Sequence, residues 1–250
     1  AATTGWGQQV IGSFPSMDGG FENQNGTLTT ASGISSQQSY WTTQMAGVGI
    51  ISSSGGRSGP KYVTYTQSGT SHKRLQSPTA DVPTGSYVVQ FYYQGDLDGT
   101  LGGDIRGAVS SNGSTGPSYG AYITDPYAVT WTKYSAVVTP GTYAANIGIG
   151  IVSVNQTGQF KIDDFVIYAG STEDITAPDA PGAVTIENAT ASSLDVSWSS
   201  PSGGVDGGGY VVVRYGVSPD NTDLPNQQGI YAVGNSITVV NTGSVRYIGT

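Results

Sequence analysis

Two adjacent carboxylates, Asp163 and Asp164, stand in the middle of Phe160 to Tyr168, a run that otherwise has the composition of a β-strand. Strict alternation sets Phe160, Ile162, Asp164, Val166 and Tyr168 on one face and Lys161, Asp163, Phe165 and Ile167 on the other. Whichever face is buried takes an acid with it, and a buried carboxylate requires a partner or a metal. Far upstream, Met17-Asp18-Gly19-Gly20-Phe21-Glu22 adds two more acids beside glycines that allow a tight turn. Carboxylate and carbonyl oxygens drawn from two ends of a domain onto one hard cation are calcium-site chemistry. The other reading is a solvated acidic pair at a sheet edge.

A second group of residues suits a sugar, whose apolar C–H face lies on an aromatic plane while amides and carboxylates take its hydroxyls. In Tyr87 to Gln94, alternation gives Tyr87, Val89, Phe91 and Tyr93 to the core. Val88, Gln90, Tyr92 and Gln94 fall on the other face. Gln90, Tyr92 and Gln94, with Asp104 or Arg106 on the neighbouring strand, supply the required mixture. Tyr119, Tyr122 and Tyr127 are placed to wall that site from a loop. Against this, any one of these tyrosines can simply pack.

Catalysis is harder to find. The single histidine, His72, has no Ser or Cys partner recognisable by motif. Asp96 and Asp98 resemble half a calcium loop, but no later Glu completes an EF-hand. Paired carboxylates hydrolyse glycosides when they face one another, whereas alternation points Asp163 and Asp164 apart. The chain therefore reads as non-catalytic. Arg57, Lys61, Lys73 and Arg74 form a basic cluster with His72. It reads as a solvated strand pair guarding an edge, with an acidic glycan as the other use of those charges.

The elements that must hold these groups are strands. Of 250 residues only 10% are charged, while 38 are Gly and 16 Tyr, a strand-and-turn composition. A net charge of −8 argues against nucleic acid as a partner. No apolar run reaches the roughly 18 residues of a membrane span. Without cysteine, neither disulfides nor thiolate metal sites are available. Short strands between Gly, Pro and Asn turns predict an antiparallel two-sheet sandwich. Gly148 and Gly150, alternating with Ile147, Ile149 and Ile151, leave a flat trough on one of its faces. Residues 23–39 read as a long loop.

Gly19-Gly20-Phe21-Glu22, a following Trp41, Trp131-Thr132-Lys133-Tyr134 and the closing Ile162-Asp163-Asp164-Phe165 resemble the β-jelly-roll carbohydrate-binding modules of the family four, nine and twenty-two type. The resemblance spans roughly Ile11 to Tyr168. It implies a structural Ca2+ held by Glu22 and by Asp163 or Asp164, with a carbonyl near Gly19 or Gly20. It also implies that Trp41 and Trp131 are core residues. That family shares its fold more widely than its ligand, so the resemblance argues for sandwich and calcium before glycan. From Ala183 onward a second pattern resembles a fibronectin type III or related immunoglobulin-like domain, on Leu194-Asp195-Val196-Ser197-Trp198 and Gly208-Gly209-Tyr210 before Val211 to Tyr215. Two further strands of such a domain do not follow.

The organisation expected is thus all-β. A jelly-roll domain occupies residues 1–170, with 1–14 as an N-terminal arm. A linker fills 171–181, and an incomplete immunoglobulin-like sandwich 182–250, in which Trp198, Val211, Val213 and Tyr215 leave core exposed. The function expected is non-catalytic binding of a polysaccharide or other glycan by a secreted, multidomain bacterial protein. The small residues Ala1-Ala2-Thr3-Thr4 suit the end left by a removed signal peptide. Four sequons, at Asn25, Asn112, Asn155 and Asn188, read mostly as chance in so Asn- and Thr-rich a chain. The alternative is a structural subunit of an extracellular surface layer or filament. There, self-association would run by strand addition between the N-terminal arm and the incomplete C-terminal domain.

Overall fold

A computed structural model describes residues 9–11, 18–30, 40–43, 49–67, 73–77, 80–82, 85–95, 104–110, 118–120, 128–139, 144–154, 158–175, 179–204, 210–220, 223–226, 229–238 and 241–249. The N-terminal arm through Gln8, with Trp6, lies outside them, as do Phe14, His72, Asp96, Asp98, Tyr122, Tyr127, Asn112 and Asn155. Every regular element described is a strand. The first strands are β1 (Gln9–Ile11), β2 (Gly26–Thr27), β3 (Thr42–Thr43), β4 (Gly49–Ser52), β5 (Tyr62–Gln67) and β6 (Lys73–Gln76). Then come β7 (Ala80–Val82), β8 (Tyr87–Gly95), β9 (Asp104–Ser110), β10 (Ser118–Tyr119), β11 (Ala128–Val138), β12 (Ala144–Val154) and β13 (Gly158–Ala169). The chain continues with β14 (Thr185–Glu187), β15 (Asp195–Ser197), β16 (Tyr210–Tyr215), β17 (Ser236–Thr238) and β18 (Thr242–Gly249).

Two antiparallel sheets make the sandwich. The larger runs β11-β8-β13-β5-β4-β2, with β1 also pairing to β13. The smaller runs β10-β9-β12-β6-β3, with β7 pairing to β12. Between them Val63, Tyr65, Val89, Phe91, Phe160, Ile162, Phe165 and Ile167 from one sheet meet Leu75 and Ile105 from the other. Phe91 stacks on Tyr134 and on Phe165, at ring-centroid distances of 4.5 and 6.3 Å. Alternation on β8 thus falls as expected. In 23–39, expected to be all loop, β2 pairs with β4 and Leu28 enters the core.

The closing strand departs from strict alternation. Asp163 pairs with Tyr92 but Val166 pairs with Gln90, so β13 carries one extra residue, a β-bulge at the double Asp. Asp164 takes φ 50°, a left-handed conformation that Asp tolerates better than most side chains. The bulge resets the faces. Phe160, Ile162, Phe165 and Ile167 point into the sandwich, and Lys161, Asp163, Val166 and Tyr168 share the outer face. Neither acid enters the core between the sheets. β11 bulges more strongly: Ala128 pairs with Gly95 and Thr132 with Tyr93, leaving Val129, Thr130 and Trp131 opposite Gln94 alone.

After the sandwich, β14 and β15 form a hairpin and β16-β18-β17 a three-stranded sheet. Val211, Val213 and Ile248 pack against Tyr231, Ile237 and Val245. Trp198 lies edge-on to Tyr210 and Tyr247, with centroids 5.3 and 6.1 Å away. Trp198, Val211, Val213 and Tyr215 are only half-buried.

Candidate functional site

The outer face of the larger sheet divides at the bulge. Above it lie Val88, Gln90, Val166 and Tyr168, all buried. Val166 packs on Ile230, which belongs to the stretch between β16 and β17. The Tyr168 hydroxyl accepts the Asp174 N–H at 2.9 Å. Gln90 is 1% exposed and donates to Ser135 Oγ at 3.2 Å, while its Oε1 is buried without a partner. A glycan cannot reach Gln90.

The seam itself is made by the acids. Asp164 Oδ2 accepts from the Arg57 guanidinium and from Ser58 Oγ, each at 2.6 Å, and Oδ1 accepts the Ile230 N–H at 2.7 Å. Asp163 takes the Arg57 N–H at 2.7 Å and the Asp164 N–H at 2.8 Å. Glu22 accepts from the Lys61 N–H and from the Asn235 amide, both at 3.2 Å. Asp18 closes its own turn through the Glu22 and Asn23 N–H groups at 2.7 and 3.0 Å. The Trp41 indole donates to Asp18 O at 2.9 Å. Trp41 is fully buried against Phe21 and Phe165, as expected of it.

Gly19 and Gly20 serve close packing, not turning: the left-handed residues of that turn are Asp18 and Phe21. A Cβ on Gly19 would stand 2.0 Å from Phe165 O, and one on Gly20 3.1 Å from Ile230 O. The Gly19 carbonyl itself accepts the Phe165 N–H at 2.9 Å.

Burial raises the pKa of all four acids. Asp18 is pushed up to about 6, chiefly by desolvation. Asp163 and Asp164 are raised by desolvation first; their mutual repulsion adds to it at Asp163, and Arg57 opposes it at Asp164. Glu22 is likewise raised by burial. The calcium expectation meets a donor set of another kind. Both oxygens of Glu22, Asp163 and Asp164 are already turned to protein donors, and Lys61 Nζ occupies the carbonyls of Glu22 and Gln24 at 2.6 and 2.9 Å. Among the described residues no three acids or histidines are grouped to hold one ion. In this arrangement Glu22, Asp163, Asp164 and Gly20 do not fit Ca2+; Arg57 and Lys61 supply the positive charge.

Below the bulge the face is open. Arg57 lies over the Tyr92 ring with its guanidinium carbon 3.4 Å from the centroid, so that side of Tyr92 is covered. Beyond it stand Tyr62, Thr64, Gln94, Trp131 and Lys161, all half-buried. Trp131 and Tyr62 meet edge-on at 6.0 Å, and Lys161 Nζ stands 5.3 Å from the Tyr62 centroid. Gln94 and Thr64 are the cross-strand partners of Lys161. Trp131, expected in the core, is thus on the outer face. The β11 bulge, for which the sequence carries no signal, places it there.

Of the remaining sugar-site residues, the described ones, Asp104, Arg106 and Tyr119, are on the other sheet. Arg106 pairs with Val152, Asp104 with Val154 and Tyr119 with Ala108, so the expected site is split between two faces. Gly148 and Gly150 lie in register with Ser110 and Ala108. The basic cluster is split as well, with Lys73 and Arg74 on β6. A cavity of about 400 Å3 also lies along the seam, between Gly55 to Pro60 and Asn226, Tyr231 and Asn235. Its aromatic residue, Tyr231, spends its hydroxyl on the Asn226 N–H at 2.7 Å.

Neither a protein-family profile nor a curated protein matches the chain. Solved structures do. A family 61 module, TmCBM61, in complex with β-1,4-galactotriose is similar over 54% of this chain and 91% of its own, at 16% identity and TM-score 0.39. The CBM22-1 xylan-binding domain of Paenibacillus barcinonensis Xyn10C covers 58% and 96%, at 12% identity and TM-score 0.42. A protein of Bacteroides thetaiotaomicron covers 65% and 100%, at 14% identity and TM-score 0.48. Two of the three are carbohydrate-binding modules by name. At such scores the likeness is one of general shape, and the site rests on this chain's own residues.

Proposed function

We propose that this chain is a non-catalytic glycan-binding module of a secreted protein, with its site on the open half of the larger sheet. One observation carries the reading: an indole and a phenol, Trp131 and Tyr62, stand half-exposed at 6.0 Å on a sheet face. The amide of Gln94, the hydroxyl of Thr64 and the ammonium of Lys161 share that face. The rings offer planes for C–H faces and the polar groups reach hydroxyls. The described acids nearby, Asp163 and Asp164, are buried and bonded beneath Arg57 and Ser58, which supports binding over hydrolysis. A shallow platform buries little ligand surface, so affinity is expected on the order of micromolar to millimolar.

Retention on a panel of immobilised polysaccharides tests this. Trp131→Ala should lose retention while melting as the parent does. Retention that survives both Trp131→Ala and Tyr62→Ala would remove the platform from consideration.

A second reading, self-assembly of an extracellular filament, draws on the β14–β15 hairpin. Val184, Ile186 and Leu194 there are 57%, 63% and 49% exposed, an apolar row of the kind that marks contact surfaces. Sedimentation of Ile186→Asp against the parent distinguishes assembly through it from a monomer.

A further inference from the structure

We propose that the ligand of the platform is an acidic glycan, whose carboxylate or sulfate pairs with the Lys161 ammonium. This rests on the platform being a glycan site. Surface lysines commonly guard sheet edges against strand addition, but β13 is an interior strand, hydrogen-bonded to β8 on one side and β5 on the other. That explanation does not apply here. An acid directly opposite on a neighbouring strand would stabilise a lysine on a sheet face, but the partners of Lys161 are the neutral Gln94 and Thr64.

The acids close by in sequence are turned elsewhere by the bulge: Asp163 binds the Arg57 N–H, and Asp164 binds the Arg57 guanidinium, Ser58 and the Ile230 N–H. The neighbouring described cations are committed. Arg57 pairs with Asp164, Lys133 with Glu173, and Lys61 holds the carbonyls of Glu22 and Gln24. Among the described residues no carboxylate pairs with Lys161, whose ammonium stands over Tyr62.

A chain of net charge −8 repels polyanions at long range. A local cation within a ring-and-amide platform therefore does little for a neutral sugar and much for a charged one at contact. A pyranose lying on Trp131 and Tyr62 would carry its anionic group to Lys161. The same chemistry serves a uronic acid and a sulfated sugar.

The test is a set of titrations of the full chain, at fixed ionic strength. The probes are polygalacturonate, its carboxyl-reduced counterpart, a sulfated galactan and the desulfated form. The parent should prefer at least one charged polymer over its neutral counterpart by about tenfold or more. The charged polymer preferred identifies the source of the anion. Lys161→Gln should level that preference and leave the weak binding of the neutral polymer, while Lys133→Gln should keep it. Equal binding of charged and neutral polymers, or a preference that survives Lys161→Gln at unchanged melting temperature, would overturn the acidic ligand and leave the platform standing. Binding to none of these polymers nor to the wider panel would remove both.

Discussion

The two halves of one outer face share three strands, β11, β8 and β13, yet do opposite things. Above the bulge, Val166 is sealed under Ile230, Tyr168 is bonded to Asp174 after β13, and Gln90 is buried. Below it, Gln94, Lys161 and Trp131 remain half-exposed. The polar residues of β8 do not distinguish the halves, since Gln90 and Gln94 are the same side chain on the same strand. What differs is the cover, and the bulge fixes where the cover attaches. By adding one residue it turns Asp164 out of the sandwich and offers its carboxylate to Ile230 N–H, Ser58 and Arg57. An amphipathic strand thus becomes a site or a seam according to what the next segment finds to bind.

The largest effect should come from breaking the seam. Arg57→Met leaves Asp164 buried without its cation, a loss of about 3–5 kcal/mol for a buried pair, measured by urea denaturation. Restoring neutrality with Asp164→Asn in that background should recover part of it. If Arg57→Met is neutral, the acids are not held as described.

Next in size is the response to pH. Asp18, Glu22, Asp163 and Asp164 all have folded-state pKa values above their ordinary ones, so the folded chain binds protons more tightly than the unfolded chain. Stability should therefore rise on acidification and fall as pH climbs through the raised values, near 6 for Asp18. Thermal melts at pH 7.5 and 5.5 should show the higher midpoint at the lower pH, and Asp18→Asn should reduce the difference. Melts in calcium and in chelator belong beside these and should coincide. A calcium-dependent rise would mean that an ion displaces Arg57 from the carboxylates and Lys61 from the carbonyls of Glu22 and Gln24.

The smallest effect should be Gln90→Leu. It removes a buried carbonyl that has no partner together with the bond to half-exposed Ser135 Oγ, and the two offset, so stability should change by less than about 1 kcal/mol. Glycan retention should not move. Lost retention would place the site on the covered half.

Much of the sandwich was legible in the sequence, because the strands follow a period of two. Tyr87, Val89, Phe91 and Tyr93 faced inward as alternation required, and Trp41 took the core position that the family resemblance implied. The errors gather at the bulges. Strict alternation misassigned the residues after Asp163 because an inserted residue exchanges the faces beyond it, and nothing local announces it. Trp131, which the family resemblance put in the core, stands within the β11 bulge and faces outward. Arg106 and Tyr92 were grouped from their nearness in sequence, although β8 and β9 belong to different sheets. The Ile230–Asp164 bond spans 66 positions and uses a backbone N–H, which composition does not encode.

Tryptophan itself offers the most direct test of the open half as the binding site. The chain has four, at 6, 41, 131 and 198, so 5-fluorotryptophan labelling gives a small set of fluorine resonances. Trp131→Phe assigns one of them. On titration with a glycan that the chain retains, the Trp131 resonance should shift progressively to saturation, while that of the buried Trp41 stays fixed. A saturating titration in which Trp131 does not move, or in which another tryptophan moves in its place, would contradict the assignment of the site to this half of the sheet.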